Sequence, residues 1–237
     1  MTLRSLIIGD SLPVPRPHRG QHMNSTWPML MKKEFEEIDI WQRCRAGNMS
    51  NDVLKEFGMF SDSLDCFQSL IVQVGIGDCC PRPYPLTIHK FLLTYEFAKL
   101  LKFINSYYPP LLKIRSKPWI SPQEFESNIR FITDTTKKRN PSTSVVLIAV
   151  GPPCNDMVVK APGVAEMAVQ YNQILRSISE SYSKDGGVSF IDPYVGLVPE
   201  PLFLADGHHL TVEGHQVVAK AMRPHFEALR ASSSTGA

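Results

Sequence analysis

Two groups of residues, at opposite ends of the chain, have types and spacing that could do chemistry. Leu3 to Ile8 reads Leu-Arg-Ser-Leu-Ile-Ile and runs directly into Gly9-Asp10-Ser11-Leu12. A buried strand that stops on glycine lifts the Ser11 hydroxyl out of a sheet edge, where it is a candidate nucleophile. Such a hydroxyl attacks at neutral pH only beside a base, and the base needs a partner that holds its tautomer. Asp206-Gly207-His208-His209-Leu210-Thr211 contains both. In a turn, Asp206 and His209 can face the same side, with Asp206 taking the Nδ1 proton and Nε2 left to face Ser11. The same residues also read as a loop aspartate with two surface histidines. His208 and His215 are read as structural or solvent-facing.

Other chemistries fit less well. Asp10, Asp78, Asp206, His208 and His209 could supply oxygen and nitrogen ligands to a metal near one mouth, but their order along the chain suits the serine reading better. No metal and no cofactor are expected. Cys79 and Cys80 are adjacent and lack paired C-x-x-C spacing, and no base stands near them in sequence.

The elements that must position these groups follow from the bulk composition and the hydrophobic pattern. A chain of 237 residues can bury a sizeable core in one α/β domain, expected over residues 1–230, with 231–237 a flexible tail. With 43% hydrophobic and 20% charged residues and a formal charge of +2, nucleic acid is not an expected partner. No apolar run approaches the roughly 18 residues of a membrane span, and no basic segment leads into a long apolar one. A cytoplasmic location is expected. Five cysteines, an odd number, read as reduced thiols.

Strands are expected at Leu3–Ile8, Glu37–Trp41, Ser69–Gly75, Ser144–Val150 and Val188–Ile191. Helices are expected over Thr26–Phe35 with Thr26 as N-cap, from near Asn51, over His89–Asn105, from the Ser121–Glu124 capping box to about Arg139, over Ala165–Tyr182 and over Thr211–Leu229. Three prolines between Leu12 and Gly20 make that stretch an irregular loop. The pattern assigns no structure to Phe103–Pro118. Five apolar strands alternating with helices imply a parallel sheet covered on both faces, with ligands beyond the carboxyl ends of its strands. Gly9-Asp10-Ser11, Gly75 to Asp78 and Gly151-Pro152 all fall at such ends.

The chain resembles the SGNH/GDSL hydrolases. The resemblance rests on Gly9-Asp10-Ser11-Leu12, the Gly47-Asn48 turn after the second strand, Gly75-x-x-Asp78 after the third, and Asp206-x-x-His209. These motifs fall in family order over nearly the whole chain. The resemblance implies a flavodoxin-like, three-layer α/β/α sandwich with about five parallel strands. It also implies hydrolysis or transfer of an acyl ester through an acyl-serine intermediate. Ser11 would be the nucleophile, His209 the base and Asp206 its orienter, with the N–H groups of Ser11 and Gly47 as oxyanion donors. One departure stands out: the family's third block is Gly-x-Asn-Asp, and here Gly77 replaces the Asn. Losing one oxyanion donor typically costs ~10²–10³ in kcat. Asn48 or the Gly77-Asp78-Cys79 backbone could take its place, or the site could be slow on simple esters.

Gly-Asp-Ser-Leu-Pro-x-Pro-Arg with Gly-Ile-Gly-Asp-Cys-Cys-Pro-Arg is similar to an SGNH subgroup associated with bacterial surface-polysaccharide assembly. This implies an acylated carbohydrate or glycolipid substrate. Arg16 lies five residues after Ser11 and Arg82 four after Asp78, each beside proline. Paired at the mouth, the two guanidiniums would suit a carboxylate or phosphate. Alternatively, each pairs with a local acid such as Asp10 or Asp78, or faces water. The expected activity is a serine esterase, such as a carbohydrate O-deacetylase. An acyltransferase on the same site and a non-catalytic binding protein are the alternatives.

Overall fold

The computed structural model describes residues 3–94, 97, 100, 103–104, 107–183 and 186–234. Its centre is a five-stranded sheet in the order β2-β1-β3-β4-β5, with every neighbouring pair parallel. The strands are β1 (Leu3–Gly9), β2 (Ile38–Cys44), β3 (Ser69–Gln73), β4 (Ser144–Ile148) and β5 (Val188–Ile191). This order is the doubly wound, flavodoxin-like one, in which the chain reverses direction between β1 and β3 and leaves a crevice at their carboxyl ends. Gly9 stands opposite Cys44 on one side and Gln73 on the other, so three strands finish level beside Ser11.

Residues buried on both faces explain the continuous branched runs in β1, β3 and β4. One layer holds α1 (Trp27–Glu34) and the last helix, Val212–Ser234, with the Phe35 and Phe226 rings 5.5 Å apart. The other holds α2 (Ser50–Gly58), Pro122–Arg139 and Val164–Ser181, where Phe125 and Tyr171 lie 4.8 Å apart. Further α-helices among the described residues, in chain order, include α3 (Ile76–Cys79), α4 (Leu86–Thr94), α5 (Tyr108–Leu112) and α7 (Asn155–Lys160). The long helices are accordingly α6 (Pro122–Arg139), α8 (Val164–Ser181) and α9 (Val212–Ser234). No described helix is long and apolar enough to cross a membrane.

Several boundaries differ from the sequence expectation. β2 continues to Cys44 because it is the sheet edge, where Arg43 is exposed and the half-buried Gln42 amide donates to the Pro13 carbonyl at 3.0 Å. β3 and β4 stop two residues early, at Gln73 and Ile148. Thr26 precedes α1, but its hydroxyl donates back to the Met23 carbonyl at 2.8 Å and caps nothing. Ser121 does cap α6, accepting from Glu124 N, while the Glu124 carboxylate accepts from Asn51 instead of closing a capping box. The last helix runs on to Ser234, past the start of the expected tail, and residues 235–237 lie outside the described ones. Of the helix expected over His89–Asn105, the stretch to Thr94 is helical; residues 95, 96, 98, 99, 101, 102, 105 and 106 lie outside the described residues.

Part of the unassigned Phe103–Pro118 stretch has a defined role. α5 and the residues after it brace the Pro81–Pro85 loop. Tyr108 Oη donates to the Pro81 carbonyl at 2.7 Å, Arg82 N donates to the Lys117 carbonyl at 3.0 Å, and Trp119 Nε1 donates to the Tyr84 carbonyl at 2.9 Å.

Candidate active site

Ser11 follows β1 in a turn built by its neighbour. Asp10 N donates to the Gln73 carbonyl at 3.0 Å, and Asp10 Oδ1 accepts from Leu12 N at 2.9 Å. Asp10 therefore holds the backbone on both sides of the serine, by its main-chain N–H before it and its carboxylate after it. Burial pushes the Asp10 carboxyl up to about 7, despite the Leu12 hydrogen bond.

His209 arrives on a turn closed by an isolated bridge between Phe203 and Leu210, just before the start of α9. Gly207 has φ +85°, a conformation that favours glycine, and a Cβ there would sit 2.7 Å from Met157 Cβ. Asp206 Oδ1 accepts from the His208 and His209 amides at 3.2 and 3.0 Å, and Oδ2 meets His209 Nδ1 at 3.0 Å. Burial opposes ionisation of Asp206, but the His209 side-chain and backbone hydrogen bonds outweigh it and hold the carboxyl well below its usual range. His209 Nε2 then lies 2.8 Å from Ser11 Oγ. Ser11, His209 and Asp206 form a continuous relay, from residues 198 positions apart.

A cavity of about 400 Å³ opens over this relay. Arg16, Gly47, Asn48, Gly77, Trp119 and His208 line it with Ser11 and His209. Gly47 has φ +84°, and among the described residues neither Gly47 N nor Ser11 N donates to a protein acceptor. The Asn48 amide spends one donor on the Gly9 carbonyl at 3.3 Å, and its backbone N–H goes to the Arg45 carbonyl at 3.3 Å. Gly77 lies in the first turn of α3, where a helix leaves backbone N–H groups over.

Some expected residues stand elsewhere. Asp78 is fully buried and does not line the cavity; its Oδ1 accepts from Ser50 N at 2.8 Å and ties α3 to the start of α2. Burial raises its carboxyl to about 6. Arg16 lines the cavity and contacts His209 Nε2, whereas Arg82 lies in an adjoining cavity, so the two are not paired over Ser11. Neither forms an ion pair with Asp10 or Asp78. Gly151 packs against the Phe203 ring and stays out of the cavity, so only two of the three expected loops converge on the mouth.

Of the five residues in the metal reading, only Asp206, His208 and His209 cluster, with ligand atoms within 4.8 Å of one another, and two of these belong to the relay. Cys79 is buried and its thiol is pushed well up, so it is no ready nucleophile. His215 is a core residue whose Nδ1 accepts from Trp27 N at 3.3 Å. His208, by contrast, forms part of the cavity wall with its ring 4.1 Å from that of His209. Burial, then the neighbouring His209, brings His208 down to about 4, so it is neutral at pH 7. Trp119 and Met157 were not legible as lining residues, because no motif marks them.

No protein-family model matches the sequence, and no curated protein matches it. Solved structures do match in fold. A lipase/acylhydrolase from Enterococcus faecalis superposes with TM-score 0.66 at 12% identity, covering 95% of this chain and 96% of that one. An acetylxylan esterase from Geobacillus stearothermophilus gives 0.60 at 17%, covering 95% and 96%. A GDSL-like lipase from Bacteroides thetaiotaomicron gives 0.58 at 16%, covering 95% and 88%.

Proposed function

We propose that the chain is a serine esterase of the SGNH/GDSL type that cleaves a short acyl ester, acetyl in the first instance, on a carbohydrate or glycolipid. The relay from Ser11 Oγ through His209 to Asp206, at 2.8 and 3.0 Å, carries this reading. Ser11 Oγ adds to the ester carbonyl as its proton passes to His209 Nε2, and Asp206 stabilises the imidazolium. The oxyanion takes hydrogen bonds from the Ser11 and Gly47 N–H groups, with the second N–H of the Asn48 amide, or the Gly77 backbone, in place of the missing asparagine. Collapse breaks the ester C–O bond, and the leaving alcohol takes the proton from His209. Water, deprotonated by His209, then hydrolyses the acyl-serine to the free acid and restores Ser11.

The acetyl preference is supported by the modest cavity and by a fold shared with an acetylxylan esterase. A fluorophosphonate probe should label the wild type and leave Ser11→Ala unlabelled, and aryl acetates should be cleaved faster than longer-chain aryl esters. A folded wild-type protein that takes no label would overturn the esterase reading.

A further inference from the structure

Beside the Ser11 cavity lies a second one of about 390 Å³, and His208 and Met157 form part of both walls. Arg82 and Lys160 line this second cavity. The Arg82 guanidinium lies 4.3 Å over the Trp119 ring, and its Nη1 donates to Tyr108 Oη at 3.4 Å. Its Nε is sealed from solvent and has no hydrogen-bond partner. Among the described residues neither Arg82 nor Lys160 forms an ion pair.

One carboxylate, Asp206, does line the cavity, but its oxygens are taken by the His208 and His209 amides and the His209 ring. The Arg82 loop is braced by the α5 contacts to Pro81 and by the Lys117 carbonyl, and the indole holds the guanidinium in one plane. A sheltered guanidinium without a counter-charge is unfavourable, and an incoming anion would relieve it. Because the fork is already oriented, little side-chain freedom is lost when an oxyanion binds.

Building on the esterase reading, we propose that this second cavity is an anion subsite. Arg82 and Lys160 take a carboxylate or phosphate carried by the ester substrate, while its acyl group lies against Ser11. The substrate class is therefore an acyl ester of an acidic sugar or a sugar phosphate. The shared wall at His208 and Met157 puts the two ends of one small molecule within reach of both cavities. A neutral His208 adds no further charge there.

The test compares kcat/KM for acetyl esters of a neutral hexose, a hexuronic acid and a hexose phosphate. The wild type should favour at least one anionic ester by tenfold or more, with the preference shrinking as salt is raised; the preferred arm distinguishes carboxylate from phosphate. Lys160→Glu, at an exposed helix position, and Arg82→Gln should each bring the ratio toward one, chiefly through KM. Equal rates on all three esters, or a wild-type preference that survives both substitutions, would overturn the proposal. If no ester is turned over, titration calorimetry with glucuronate and glucose 6-phosphate decides the subsite separately. Binding that is lost in Lys160→Glu supports it, and absence of binding to the wild type refutes it.

Discussion

His209 Nε2 is shared: it meets Ser11 Oγ at 2.8 Å and also contacts the Arg16 guanidinium. A guanidinium has donors and no acceptor, so Nε2 must be the bare nitrogen of the ring and Nδ1 must carry the proton toward Asp206. Arg16 thus selects the tautomer that a base needs, yet claims the same lone pair as the serine. Arg16→Ala should raise kcat/KM for a neutral aryl acetate several-fold, because Ser11 then has no rival. A lower rate would mean that the guanidinium serves the substrate instead.

Asp206→Asn keeps an oxygen for the His208 and His209 amides but can present an N–H to His209 Nδ1. That favours the wrong tautomer and leaves the imidazolium unbalanced. Loss of kcat by roughly 10²–10⁴ is expected with little change in melting temperature. Circular dichroism melts and aryl acetate kinetics, read together, check this; equal loss of stability and activity would point to a structural carboxylate.

Asn48 has one amide donor left after its bond to Gly9 O. If that donor serves the oxyanion, Asn48→Ala lowers kcat by roughly 10–10³ and leaves KM nearly unchanged. Gly77→Asn in the Asn48→Ala background should then restore part of the rate. The added side chain has space at its base, since a Cβ on Gly77 meets nothing closer than 3.5 Å. No recovery would assign the remaining work to backbone donors.

Asp78 makes a prediction about pH. Burial raises its carboxyl from 3.8 to about 6. The folded chain therefore holds this proton more tightly than the unfolded chain does. Its contribution favours folding at low pH and is lost as pH rises through the folded value, over about pH 4 to 6. Asp78→Asn keeps an acceptor for Ser50 N and cannot ionise. Relative to wild type, its stability should climb by roughly 1–3 kcal/mol across that window, measured by urea unfolding. Parallel curves would show that Asp78 titrates in the folded state as it does in the unfolded one.

Gly9 is held by packing. A Cβ there would lie 2.2 Å from the Gln73 carbonyl oxygen, the acceptor that anchors Asp10. Gly9→Ala must part β1 from β3 at their ends, for a loss of roughly 1–3 kcal/mol or more. Activity should fall further than stability explains, because Ser11 is two residues away. An alanine variant with wild-type melting and turnover would contradict this.

The sequence made the buried strands and the relay legible for the same reason: each is a local pattern. β1, β3 and β4 are covered on both faces and so read as unbroken branched runs, and Asp206 and His209 share one turn. The edge strand β2 was cut short because its last residues are polar where solvent accepts them. The placement of Arg82 was out of reach, since it depends on Tyr108, Lys117 and Trp119, some 26 to 37 positions downstream. His208 reads as structural or solvent-facing, and its half-buried ring does line solvent-open cavities; that it shares those walls with Met157 is set by the fold and by no local pattern.

The relay joins the first strand to the turn before the last helix. The contact between Ser11 and His209 can form only after the end of β1 and this turn have come together in the fold. The side chain of Gln21, which bonds the Leu210 carbonyl, likewise waits for its partner. An isolated N-terminal segment would carry Ser11 without His209, so the relay exists only once the turn before the last helix has docked.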